Sequence, residues 1–313
     1  MSKQPLHITN GSVLTNILND LNVEGDKLTW QEMLCEGPTI EAVYSNDFLN
    51  LRQSFFDTFY DIDLDGKKIK KELKKLDSTD DYSEIVLWFE YDLFCHINMV
   101  AVISLIQQKK IDLPIYLVCS GRVEGSKSLK SLSELSTGEL LKHYKKKVLL
   151  NEEDINIASS VWGIYCGIDH NLLKPFIVKP SSYKYLSNCL KAHLERFPDS
   201  TDGLNILEKN ILEIINKETI STKHHLLGYA LNYQGFYGFG DMQLSRIIDD
   251  LSIFYTVDKN RILLNRKGHE ALIGHHNFSI EINNNMAFGG VNKYDFQFSK
   301  SKNQLIKSIL NAN

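Results

Sequence analysis

The sequence predicts an α/β protein: a Rossmann-like parallel sheet at the N-terminus, a helical bridge, and a C-terminal winged-helix-like α+β domain. Three observations carry this. Over residues 1–125, short apolar runs ending in turn residues alternate with helical patterns, as parallel strands joined by crossover helices do. One run, EIVLWFE at 84–90, is apolar throughout between its flanking acids, as a strand covered on both faces must be. Residues 201–313 change to helix, helix, short helix and two short strands, the order of a winged helix-turn-helix.

Residues 6–11 (LHITNG) alternate and break at Asn-Gly, after which Val13, Leu14, Ile17, Leu18 and Leu21 recur at helical spacing. Ser12 is placed to cap that helix through its hydroxyl. KLTWQEML at 27–34 is a second strand, ended by Cys35-Glu36-Gly37-Pro38. A helix follows with an apolar stripe of Phe48, Leu51, Phe55, Phe56 and Phe59. The 84–90 strand should be central. DLFCHINMVAVISLI after it is apolar almost all round, so that helix must itself be covered. PIYLVCSG at 114–121 supplies a fourth strand. Residues 126–200 read as a helical bridge broken by Pro175, Pro180 and Pro198, with no strand. The C-terminal part, 201–313, opens with a helix led by Asp202 and has further helices near 222–234 and 241–251. Two strands flank Asp258-Lys259-Asn260, and FSIEINNN with NKYDFQFS suggests one more hairpin.

Bulk composition sets limits on function. Hydrophobic residues at 43% and charged residues at 24% are ordinary globular values and argue against a disordered chain. A net charge of −4 lacks the basic excess of nucleic-acid binders. Five widely spaced cysteines, odd in number and without a Cys-x-x-Cys pair, indicate neither a disulfide framework nor a zinc knuckle. No apolar run approaches the ~18 residues of a membrane span, and the N-terminus lacks a signal-peptide pattern, so a cytoplasmic protein is expected.

The motifs LHITNG, WQEMLCEGP, LWFEYDLFCHINM, GHEALIG and FGGVNKYDF, in that order over nearly the whole chain, resemble the bacterial domain of unknown function 1835 family with its companion C-terminal domain of unknown function 3658. That resemblance implies no reaction. Glu36-Gly37-Pro38 and Glu90-x-Asp92 match its pattern. Ser12, Gln31 and His96 stand where such proteins commonly carry Asp, Arg and Gln.

Ligands of an open parallel sheet bind beyond the carboxyl ends of its strands. Those ends hold Asn10, Gly11 and Ser12, then Glu32 and Glu36, then Glu90 and Asp92, then Ser120 and Gly121. Glu90 and Asp92 are the candidate catalytic pair: close carboxyls push one pKa up and give a general acid beside a general base. The competing account is that they cap the next helix. Asn10, Gly11, Ser12 and Glu36 are candidate ligand contacts, with a glycine turn aiming helix N–H groups at an anion. Arg52 is either an anion clamp or a surface residue. A carboxylate pair also suits Mg²⁺ as a lesser option. No metal site and no cofactor are assigned. Cys95 beside His96 does not make a dyad, because helix neighbours point about 100° apart.

The leading expectation is a small polar or phosphorylated ligand at the strand ends, with hydrolase or transferase chemistry if there is a chemical step. One alternative is a transcription regulator whose recognition helix presents Asp241, Gln243, Ser245 and Arg246. Its acids would repel DNA, so nucleic acid is disfavoured. A packing or homodimer role for the C-terminal domain is expected instead. The other alternative is a non-enzymatic adaptor, prompted by Ser12 and Gln31.

Overall fold

The computed structural model describes residues 3–123, 125–126 and 128–308. Strand β1 (Gln4–Asn10) runs into Gly11, whose φ of +92° turns the chain into helix α1 (Ser12–Asp20). Gly11 itself is the N-cap and no side chain caps the helix. Ser12 therefore begins the helix rather than capping it, because the chain turns one residue earlier than Asn-Gly-Ser spacing suggests. Strand β2 (Asp26–Trp30) is shorter than expected: residues 31–34 leave the sheet, drawn into a network around Glu32. The two-residue strand β3 (Gly37–Pro38) precedes α2 (Asn46–Tyr60) and α3 (Gly66–Leu73). Ser45 caps α2, and Phe48, Phe55 and Phe56 of the expected stripe are buried.

Strand β4 (Tyr82–Phe89) leads into α4 (Leu93–Gln108) and β5 (Ile115–Cys119). A hairpin of β6 (Gly121–Arg122) and β7 (Leu129–Lys130), helix α5 (Thr137–Lys145) and strand β8 (Val148–Leu149) follow. The main sheet has the order β2-β1-β4-β5-β8. Its first four strands are parallel and β8 is antiparallel to β5. The strands in the stretch read as a purely helical bridge were illegible because they are two residues long and, in β8, exposed on both sides. β4 is central, as its unbroken apolar run requires.

Helix α4 is buried on nearly every face, packed between the sheet and helices α6 (Glu152–Cys166) and α8 (Leu186–Glu195), with the short α7 (Lys174–Val178) beside α8. A smaller apolar cluster, including Leu14, Leu18, Trp88, Leu132 and Leu140, fills the space under α1 and α5. The sheet is thus covered on both faces.

The C-terminal part begins with α9 (Ile206–Lys217), capped by Asn205 in a reciprocal bond with Glu208; Asp202 sits upstream, accepting from Leu204 N–H. Then come α10 (Lys223–Tyr233), α11 (Asp241–Asp250) and the antiparallel pair β9 (Tyr255–Asp258) and β10 (Arg261–Leu264). Helices α12 (Arg266–Leu272) and α13 (Ser279–Ile282) precede β11 (Ala287–Gly289), β12 (Val291–Asn292), β13 (Phe296–Ser299) and β14 (Gln304–Lys307). FSIEINNN is therefore a helical turn ended by left-handed Asn283, and the hairpins are β11–β12 and β13–β14. The three helices and the β9–β10 pair follow the expected order. However, α11 turns its Gln243 and Arg246 inward. One large apolar cluster spans Leu6 to Leu305 and draws on all three expected segments.

Candidate functional site

With β1 between β2 and β4, the chain leaves β1 towards one side and reaches β4 on the other. The carboxyl ends of β1 and β4 therefore flank the topological switch point, the place where open α/β sheets form a crevice. Asn10-Gly11-Ser12 and Glu90-Tyr91-Asp92 sit there. Asn10, Gly11, Glu90 and Tyr91 are half-buried and Ser12 is exposed, whereas Asp92, Cys95 and Asn98 form the floor.

The floor is a hydrogen-bonded lattice. Asn10 Nδ2 donates to Cys95 Sγ at 3.0 Å, and Asn98 Nδ2 donates to Asn10 Oδ1 at 2.8 Å and to the Glu32 carbonyl at 2.7 Å. Asn98 Oδ1 accepts from Leu34 N–H at 3.1 Å. Asp92 caps α4 by accepting from Cys95 N–H at 2.8 Å. Leu93 and Phe94 N–H donate to the carbonyls of Phe236 and Tyr237, so the first turn of α4 is already satisfied by the 235–239 loop. Gly238 lies so close over Asp92 that a Cβ would overlap its carboxyl carbon. Glu90 Oε1 accepts from Leu132 N–H at 2.7 Å. Capping thus accounts for one Asp92 oxygen and leaves Glu90 outside the helix.

Burial, then repulsion from Asp92, pushes the Glu90 carboxyl up to about 7. Burial pushes Asp92 up to about 6 against the bonds from Cys95. The first proton leaves Asp92, and the resulting charge holds Glu90 protonated to near neutrality. One carboxylate and one carboxylic acid side by side can accept and donate a proton in the same cycle. Cys95 is no nucleophile: burial, then the two acids, holds its thiol far above its ordinary value. His96 points its Nδ1 at the Asp92 carbonyl, 2.9 Å away, and burial lowers it to about 4, so no Cys–His dyad forms. Donor atoms of Glu90, Asp92 and Cys95 lie within 4.8 Å of one another and could ligate a divalent cation. Binding would have to displace protons from groups whose pKa values are all raised.

Two expected site residues fall elsewhere. Arg52 is neither exposed nor free to clamp a ligand: it is wholly buried, its Nε and Nη2 bound to Glu32 Oε2 at 3.2 and 3.0 Å, with Nη1 on the Glu36 carbonyl at 2.7 Å. The guanidinium serves to hold the 32–38 turn together. The Glu36 carboxylate faces a second cavity, where it accepts from Arg246 Nη2 at 2.7 Å and from the Tyr60 hydroxyl. That cavity, lined also by Arg196, Glu208, Tyr237 and Lys293, escaped the sequence reading. Lys293 does lie within the FGGVNKYDF motif. Arg196, next to last in the plain helical stretch LKAHLERF, carries no signal.

No family model matches the chain, and no curated protein matches it. Among solved structures, the DNA-binding, cleavage and re-ligation domain of Plasmodium falciparum topoisomerase II aligns at 12% identity with a TM-score of 0.48, over 79% of this chain. The match spans about two fifths of that chain's length, 41%. A likeness this slight carries no functional argument. The resemblance to the family of unknown function rests on the motifs alone.

Proposed function

We propose that the chain binds a small polar ligand in the β1/β4 crevice, with Asn10, Gly11 and Ser12 on one lip and Glu90 on the other, and that Glu90 and Asp92 form a proton-transfer pair serving hydrolysis or group transfer. The observation that carries this is the raised pair of carboxyls, about 7 and about 6, at the switch point of the sheet. The acids disfavour a phosphate directly upon them, so the groups that meet Glu90 are hydroxyl or amine donors. The test is a thermal-shift screen of the full chain against polyols, amino acids, nucleosides and their phosphates at pH 6 and pH 8. A stabilising ligand whose effect is lost in Glu90→Gln is expected. Silence across the library, or a shift indifferent to Glu90→Gln, defeats the reading.

The rival reading as a DNA-binding regulator loses two of its four base readers. Gln243 is buried, bonded to Met33 Sδ and Gly240 N–H, and Arg246 is tied to Glu36, Tyr60 and Asp250.

A further inference from the structure

The cavity beside Glu36 holds an imbalance that the crevice does not explain. A narrow space of about 360 Å³, open in part to solvent, it admits a head group of a few atoms. Its charged lining is Arg196, Arg246 and Lys293 with Glu36 and Glu208, and the imbalance lies in how these are paired. Both carboxylates are spoken for. Glu36 binds Arg246, whose other face meets Asp250 at 3.2 Å. Glu208 binds Lys293 at 2.6 Å as well as Asn284 Nδ2 and Asn205 N–H. Burial works against the Glu208 anion, but Lys293 and these bonds outweigh it and hold its carboxyl below the usual range.

Arg196 has no such counterpart. It is 2% exposed, and among the described residues no carboxylate lies within ion-pair distance of it. Its Nε donates to His193 Nδ1 at 3.0 Å, Nη1 to the Cys35 carbonyl, and Nη2 to the Tyr165 hydroxyl at 3.2 Å. Three of the five guanidinium N–H groups are thereby used. His193 in turn donates from Nε2 to His170 Nδ1 at 2.8 Å, and His170 from Nε2 to the Tyr165 carbonyl at 2.9 Å. This chain locks both imidazoles neutral and the guanidinium in place, while the Phe288 ring lies 3.8 Å beneath its central carbon. On the same cavity wall the Tyr237 hydroxyl is buried with no hydrogen-bond partner among the described residues. A buried cation without an anion and a buried hydroxyl without an acceptor are each costly, and one oxyanion satisfies both.

We propose that this cavity is a binding site for a small oxyanion, the carboxylate or phosphate group of a small ligand or the free ion, held by Arg196 and Tyr237 with Lys293 and Arg246 beside it. Its planar fork makes Arg196 the principal contact.

The test is the melting temperature of the full chain titrated with inorganic phosphate, sulfate and acetate, against sodium chloride of matched ionic strength. A saturable rise with an oxyanion and none with chloride is expected. Tyr237→Phe removes an unpaired hydroxyl, so the unliganded protein should melt no lower than wild type while the apparent Kd weakens about tenfold, the loss of one hydrogen bond to a charged group. Arg196→Lys should abolish the response; if that variant does not fold, Tyr237→Phe decides alone. The titration is repeated in Glu90→Gln, where the crevice is disabled, and a response retained there assigns it to this cavity. Equal responses to chloride and oxyanions, or a Tyr237→Phe protein that binds as wild type does, overturns the proposal.

Discussion

Replacing Asp92 by Asn should stabilise the protein increasingly, relative to wild type, as pH rises towards neutrality. The carboxyls of Asp92 and Glu90 have folded pKa values raised from 3.8 to about 6 and from 4.5 to about 7. The folded chain therefore holds protons that the unfolded chain releases. Their contribution is complete below the unfolded values and is lost as pH rises through about 6 and then 7. At about 1.4 kcal/mol per unit, each ionised group costs on the order of 3 kcal/mol at pH 8. His7, His96, His170 and His193 all have lowered values and together impose the opposite slope until about a unit above their unfolded pKa, so the quantity to follow is the difference between variant and wild type, in which the histidines cancel. Asn keeps the cap on Cys95 N–H but removes the Asp92 charge, leaving burial to hold Glu90 protonated. In urea titrations from about pH 5 to 8, wild type should lose stability relative to the variant with rising pH. Asp92→Asn should be the more stable at pH 8 by up to about 3 kcal/mol. A stability difference that does not change with pH, or a less stable variant at pH 8, would refute the electrostatic account of the crevice.

Three further outcomes follow from the packing. Arg52→Ala strands the buried Glu32 carboxylate and should cost about 3–5 kcal/mol, read as a fall in the urea midpoint. Asn98→Ala breaks the bonds joining Asn10, Glu32 and Leu34 and should cost about 2–4 kcal/mol while loosening the crevice floor, seen as faster hydrogen exchange at Leu34. Burial raises the thiols of Cys95 and Cys189 far above their ordinary value and those of Cys119 and Cys166 to about 12. An aromatic disulfide reagent at pH 8 should accordingly label the folded protein at less than about a tenth of its rate in denaturant, where all five cysteines react.

What the sequence made legible was whatever its periodicity encodes. β4 and α4 announced themselves because burial on all sides needs unbroken apolar runs, and the strand-end location of Glu90 and Asp92 follows from alternating strands and helices, whereas the switch point needed the strand order. Two-residue strands such as β3, β6 and β8 have no period to read. Arg52 misled because burial of a cation depends on a partner twenty residues away, Glu32, which no local pattern reveals. The Arg196 cavity was hidden for a stronger reason: its walls come from α8, α9, α11 and the loops around Glu36, Tyr237 and Asn284, which meet only in three dimensions.

The rung between β3 and β11 joins Gly37-Pro38 to Phe288-Gly289, so the turn carrying Glu36 is completed by chain 251 residues further on. The parallel sheet can assemble as soon as β5 and its covering helices emerge. At a synthesis rate of about 5–20 residues per second, the Glu36 turn must wait roughly 13–50 s after its own synthesis for its partner strand. During that interval Glu36 lacks Arg246, and the cavity walls are solvated. Formation of the oxyanion cavity is thus a late step of biogenesis, and the finished rung marks a chain whose two ends have found each other.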